Sequence, residues 1–179
     1  TQAPTIANLD GSLTVGEFDA NGGVFLDTSI VISNPDGTGF TGKSLVIDFP
    51  DGDGTSDDTL SVADRLSITV SGNTVSYNGT AIGTVSGGTA GSALTIAFDQ
   101  GAPVGSAQIS ALAQAIQLTN SSSTPPAGAR RIGFTATDAD TDVGTGSIEV
   151  TINPTQAPTI ANLDGSLTVG EFDANGGVF

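Results

Sequence analysis

Six separate stretches of this chain place an apolar side chain at every second position, and this narrows its fold more than any other feature. In VFLDTSIVIS the shared face carries Val24, Leu26, Thr28, Ile30 and Ile32. KSLVIDF aligns Leu45, Ile47 and Phe49; RLSITV aligns Leu66, Ile68 and Val70; ALTIAF aligns Leu94, Ile96 and Phe98. RIGFTA and SIEVTI add Ile132, Phe134, Ala136 and Ile148, Val150, Ile152. Successive side chains of a strand point to opposite faces, so this pattern predicts half-buried antiparallel strands. Asn78-Gly79, between two alternating runs, supplies the two positive-φ positions of a tight hairpin turn. One segment breaks the period: Ile109, Leu112, Ala113 and Ile116 recur at helical spacing. That spacing predicts a short helix over Ala107–Ala115, capped by Ser106 and lying across an open end of the sheets. TNSSSTPPAGAR follows as a loop, since Pro125-Pro126 bars regular structure. About ten short strands joined by glycine-rich turns predict an all-β chain, an antiparallel two-sheet β-sandwich with one short helix.

The segment TQAPTIANLDGSLTVGEFDANGGVF opens the sequence at 1–25 and recurs without a change at 155–179. The offset of 154 residues is the size of a domain, not of a solenoid repeat. The simplest division is therefore one complete repeat over 1–154 and the first segment of the next over 155–179. A cloning overlap is the bland alternative. Strand exchange between molecules through the matching ends is another. Pro154 and Pro158 frame a short, stiff, extended boundary.

Composition removes whole classes of function. There is no His, Cys, Met or Trp. Serine and cysteine triads, imidazole bases and disulfides are excluded, and zinc, copper and haem lose their usual ligands. The net charge is −15, with Lys43, Arg65, Arg130 and Arg131 the only cationic side chains. Such a surface argues against nucleic acid and disfavours anionic membranes as partners. No apolar run approaches the roughly 20 residues of a membrane helix, so membrane insertion is not expected. Cations with oxygen ligands remain.

Two acidic loops suit such ions. DGDGTSDD sets Asp51, Asp53 and Asp57 at positions one, three and seven around Gly54. This is the first half of a calcium loop without the distal bidentate Glu, so it is not an EF-hand. TATDADTDVGTG sets Asp138, Asp140 and Asp142 two apart, directly after a predicted strand. Two such carboxylates about 5 Å apart repel by roughly 3 kcal/mol at an effective dielectric of about 20, and a divalent cation reverses that sign. Solvated turn acids are the ordinary alternative for both loops. Glu17, just past a strand beginning near Leu13, is a third acidic candidate, with a turn role as its plain reading.

FTATDADTDVGTGSIEVTINPTQAPTI resembles bacterial cadherin-like repeats, where a late strand enters a D-x-D loop and a final strand leads through Ala-Pro to the next domain. That resemblance implies a cadherin/Ig-like sandwich. It also implies calcium on Asp138 and Asp140 with Glu17 as the early-strand Glu. NPTQAP lacks the acids of a cadherin linker, so calcium within one domain and calcium at the junction stand equally open. The middle of the unit is similar to the long repeats of giant secreted adhesins of the repeats-in-toxin type, although their G-G-x-G-x-D nonapeptide is absent.

Together these readings lead to an expectation. The chain is a non-enzymatic structural extender of a large extracellular adhesin or matrix fibre, at a cell surface or in a biofilm, stiffened by calcium. Its partners are neighbouring identical repeats or other chains of a fibre. A carbohydrate- or surface-partner-binding module is the alternative, though without Trp the chain is poor in the aromatic platforms that sugars use.

Overall fold

The structure, a computed structural model, describes residues 1–99 and 101–155. The second copy from residue 156 on, with Pro158 and the segment read as the next repeat, lies outside the described residues. The chain order is β1 (Thr5–Ala7), β2 (Ser12–Gly16), α1 (Glu17–Gly22), β3 (Val24–Phe25), β4 (Val31–Ser33), β5 (Ser44–Asp48) and β6 (Asp58–Val62). There follow β7 (Ile68–Ser71), β8 (Thr74–Tyr77), β9 (Thr80–Gly87), β10 (Leu94–Phe98), α2 (Ser106–Ala113), β11 (Ile116–Asn120), β12 (Ala129–Thr137) and β13 (Val143–Asn153). This is an all-β sandwich. Its main sheet has eight strands in the order β2-β13-β12-β5-β10-β9-β8-β7; β3-β11-β6 and β1-β4 form two smaller sheets. Among the described residues every ladder is antiparallel except β2 on β13, which is parallel.

Alternation does the work expected of it. Leu45, Ile47, Leu94, Ile96, Ile132, Phe134, Ile148, Val150 and Ile152 are buried in one cluster. Leu60 and Leu118 of the three-stranded sheet and Ile109 and Leu112 of α2 join them. Burial of this order, at about 25 cal/mol per Å² of apolar surface, is the main force holding the layers together. Asn78 (φ 50°) and Gly79 (φ 80°) make the turn between β8 and β9 as their sequence demands.

Three expectations need correction. The run from Val24 to Ile32 is not one strand. Asp27 is buried, and its carboxylate accepts from the N–H groups of Asp10 (2.6 Å), Ser29 (2.6 Å) and Ile30 (2.9 Å). That knot bends the chain and sends β3 and β4 to different sheets. Leu66 does not face inward with Ile68. It sits at φ 51° in a turn closed by Arg65 and Ile68, and is 80% exposed.

The helix, third, spans Ser106–Ala113 with Gly105 as its N-cap, where the Gln108 side chain accepts from the Gly105 N–H at 3.1 Å. Ile116 already belongs to β11, because its segment fills the slot between β3 and β6. Nor does α2 lie across an open end. It runs along β4 and replaces a missing strand. Ser110 Oγ accepts from Ile32 N–H (2.9 Å) and donates to Ile32 C=O (3.0 Å). Ser106 Oγ accepts from Asn34 N–H, and Gln114 Nε2 donates to Ile30 C=O. Positions 106, 110 and 114 share one helix face at a spacing of four, so a polar stripe satisfies the open edge of a short strand.

The N-terminal segment lies along β13. A Cβ at Gly144 would run into the Pro4 backbone, and one at Gly146 would meet Ile6 Cγ2 and Leu9 Cδ2 at 3.1 Å. Farther on, β2 pairs with β13 from Ser12↔Glu149 to Gly16↔Asn153. The chain therefore starts beside Gly144 and leaves beyond Asn153. At about 3.3 Å per residue these points are about 30 Å apart, at opposite poles of the sandwich.

The Asp27 knot sets a pH dependence. Burial opposes ionisation, but the N–H groups of Asp10, Ser29 and Ile30 and the Ser29 hydroxyl outweigh it and hold the carboxyl below its ordinary 3.8. A folded pKa below the unfolded one gives stability that is complete above about pH 4 and is lost as pH falls through the folded value. Melting temperatures followed down to about pH 2 are expected to fall less steeply in Asp27→Asn than in the parent, from a neutral-pH stability about 1–3 kcal/mol lower. Equal acid limbs would refute the assignment.

Candidate metal centre

The inward row of β12, continued one residue past the strand, carries a charge at each end. Arg130, Ile132, Phe134, Ala136 and Asp138 share one parity and all are buried. A buried charge must be paired or bound to a metal. The two ends answer this differently.

At the first end Arg130 meets Asp58, the inward residue that opens β6. Arg130 Nε donates to Asp58 Oδ2 at 2.9 Å, with both side chains almost wholly buried. Asn120 Nδ2 donates to Asp58 Oδ1 (2.7 Å), and Thr55 N–H and Oγ1 both donate to Oδ2 (2.8 Å). This pair ties the three-stranded sheet to the eight-stranded one. Sequence reasoning passed over Asp58, although its parity with Leu60 marks it as inward.

At the other end Asp138 is fully buried, and no cationic side chain reaches it. The turn from Asp138 to Asp142 closes on itself. Thr141 N–H donates to Asp138 C=O (3.0 Å), Asp138 N–H to Asp142 C=O (3.0 Å) and Asp142 N–H to Asp138 Oδ1 (2.9 Å), with Thr141 at φ 76°. The second carboxylate oxygens of Asp138 and Asp142 are buried with no protein donor. Asp36, from the loop between β4 and β5, completes a trio whose oxygens lie within 4.8 Å of one another. Ala139 N–H donates to Gly39 C=O at 3.0 Å and clamps that loop to the turn. The Asp36 carboxyl is held below its ordinary value chiefly by the Gln2 N–H (3.0 Å) and also by Thr38, so it is charged at neutral pH. Acid-only oxygen donors, two of them orphaned and buried, fit a hard divalent cation. Calcium takes six to eight oxygens and would draw the remainder from carbonyls and water.

The other sequence candidates go elsewhere. Asp140 is exposed and outside the trio. Asp51, Asp53 and Asp57 do not converge. Asp51 faces Arg131 at 3.8 Å, Asp53 Oδ2 accepts from Arg131 N–H (2.8 Å), and Asp57 Oδ1 accepts from Ser121 Oγ (3.3 Å). They strap a loop to β12 and to the residues after β11. The buried Oδ1 of Asp53 has no donor, and Asp53 lines a cavity of about 130 Å³ together with Arg130. Glu17 sits at the opposite pole from the trio, where its Oε2 accepts from Thr155 N–H at 2.7 Å. Among the described residues the trio is the one group of three acids close enough to share an ion. Asp36 carried no signal in sequence, because it lies about a hundred residues from the turn that it joins.

Comparison with protein-family models, curated proteins and solved structures gave no match.

Removing one member of the buried pair isolates the other. Arg130→Ala is expected to cost about 3–5 kcal/mol in a urea titration. Arg131→Ala, which removes an exposed pair with Asp51 and an exposed hydrogen bond to Ser147, should cost well under half of that. Similar losses for the two would refute the distinction.

Proposed function

We propose that this unit is a structural extender of a large extracellular bacterial adhesin or matrix fibre, repeated head to tail and braced by calcium at Asp36, Asp138 and Asp142. The observation that carries the reading is the placement of the two ends. The chain arrives beside Gly144 and departs beyond Asn153, at opposite poles, and at the departing pole the sequence begins again as a copy of residues 1–25. Units joined in this way add length. The acid trio supports the calcium part. An ion there would link the turn between β12 and β13 to the loop carrying Asp36, and through Gln2 to the arriving chain. Calcium is the reading for an external medium, where it is abundant and where a site of modest affinity is still filled. Low cationic content leaves few sites for trypsin-like cleavage and keeps such an array soluble.

One observation favours strand exchange as a second reading. The duplicated segment supplies β1, β2 and β3, which are outer strands of the three sheets. Four residues separate Asn153 from the second copy's Pro158, five backbone steps that reach at most about 18 Å. That falls short of the distance back to Gly144, where the first copy's Pro4 lies, and so favours a place for the start of the copy on a following unit or another molecule.

Full-length chain is expected to melt several degrees higher in millimolar calcium than in EDTA. Calcium at 100 times its dissociation constant adds about 2.7 kcal/mol, or about 5–10 °C for a chain of this size. Asp138→Asn should abolish the gain and Asp140→Asn should keep it; an equal gain in both, or none in the parent, refutes the site. Small-angle scattering from two consecutive units in calcium should give nearly twice the length of one unit. A compact particle refutes the extender. A mass that grows with the concentration of the 179-residue chain would favour exchange.

A further inference from the structure

The departing pole carries an apolar feature that the single unit leaves uncovered. Phe18 is 86% exposed, the most exposed large apolar side chain among the described residues. It stands beside a cleft of about 310 Å³ that it lines with Glu17, Asn21, Gly22 and Thr155. Phe18 follows Gly16, which is level with Asn153, so it sits where the chain leaves the unit. An aromatic ring held open on a short helix, next to the exit of the chain, has an identifiable occupant.

We infer that Phe18 and its cleft dock the opposite pole of the following identical unit, forming a close head-to-tail contact rather than a free tether; this rests on the tandem reading above. The argument is one of slack. Thr155 is the last described residue and also the first residue of the copy, equivalent to Thr1. Its N–H is held by Glu17 of the unit in front. The next residue of the copy is equivalent to Gln2, whose N–H is held by Asp36 of its own unit. In an array, two consecutive backbone N–H groups are therefore gripped by carboxylates of two different units. Consecutive Cα atoms are about 3.8 Å apart, and each hydrogen bond adds about 3 Å, so Glu17 and the following Asp36 come within about 10 Å. No free linker remains. Phe18, adjacent to Glu17, then meets the pole that carries Asp36. That pole offers a half-exposed apolar side chain of its own, Val143, directly after the Asp138–Asp142 turn (49% exposed). The contact is heterologous and open-ended, the kind that makes linear arrays. Both poles are acidic, so the contact is stronger where salt and a bound cation reduce their repulsion.

The chain has no tryptophan, which makes the test clean. Phe18→Trp is introduced into the first unit of a two-unit chain, and separately into the second unit, with the 179-residue chain bearing the same change as the reference. Measurements are made in millimolar calcium. Tryptophan in the first unit is expected to emit at shorter wavelength than the reference and to be quenched several-fold less by acrylamide. Tryptophan in the second unit, which like the reference is followed by the 25-residue copy and no whole unit, should match the reference. Equal quenching in all three, in a two-unit chain that scattering shows to be extended, overturns the contact and leaves the extender standing. A two-unit chain folded back on itself overturns both.

Discussion

The structure depends on a constraint along a single strand. Period two sends every second side chain of β12 into the core, and this row begins with Arg130 and ends with Asp138. Desolvating a charge is costly unless something answers it. Arg130 is answered from within the chain by Asp58, backed by Asn120 and Thr55, and that answer joins the two larger sheets. Asp138 is answered by no cationic side chain. Its neighbours are two further carboxylates, and two oxygens of the group are buried without a donor. Arg130 Nη1 and Nη2 are likewise buried without acceptors, so what separates the structural pair from the candidate ion site is the counter-charge, which Arg130 has in Asp58 and Asp138 lacks.

Edges are managed by local chemistry. Strand β4 is only three residues long, and its outward groups would be unsatisfied without a neighbour. Helix α2 supplies that neighbour with Ser106, Ser110 and Gln114, while Asp27 turns the chain into position. The glycines of β13 serve the same end. Gly144 and Gly146 have no side chain, so the N-terminal segment can lie flat against the strand before it joins the sheet as β2.

That path along β13 sets the poles of the unit, and the proposed extender and its proposed junction both derive from it. The acid trio lies at the arriving pole and Glu17 at the departing one, so the acids that sequence grouped by their chemistry are separated by the length of a strand. In a tandem array the two poles would become neighbours, which gives the exposed Phe18 and the carboxylate grip on the linker a common purpose.

Alternation, by itself, determined the all-β class, most of the core and the hairpin at Asn78-Gly79, because side-chain parity and positive φ are properties of a few adjacent residues. It also held more than was read from it. The parity of Ile132 and Phe134, carried two residues back, places Arg130 inside, and carried two past Ala136 it places Asp138 inside; Asp140 shares that parity and is exposed because the strand has already given way to a turn. Identity of the two 25-residue segments was likewise plain in the sequence. Only the tertiary structure decided which acids meet, since Asp36 reaches Asp138 across a fold and not along a chain. It also decided that Ile116 leaves the helix and that Val24 and Ile32 part company. In each case a long-range partner, a slot between two strands or a buried carboxylate gathering distant N–H groups, outweighed a local pattern that could not contain it.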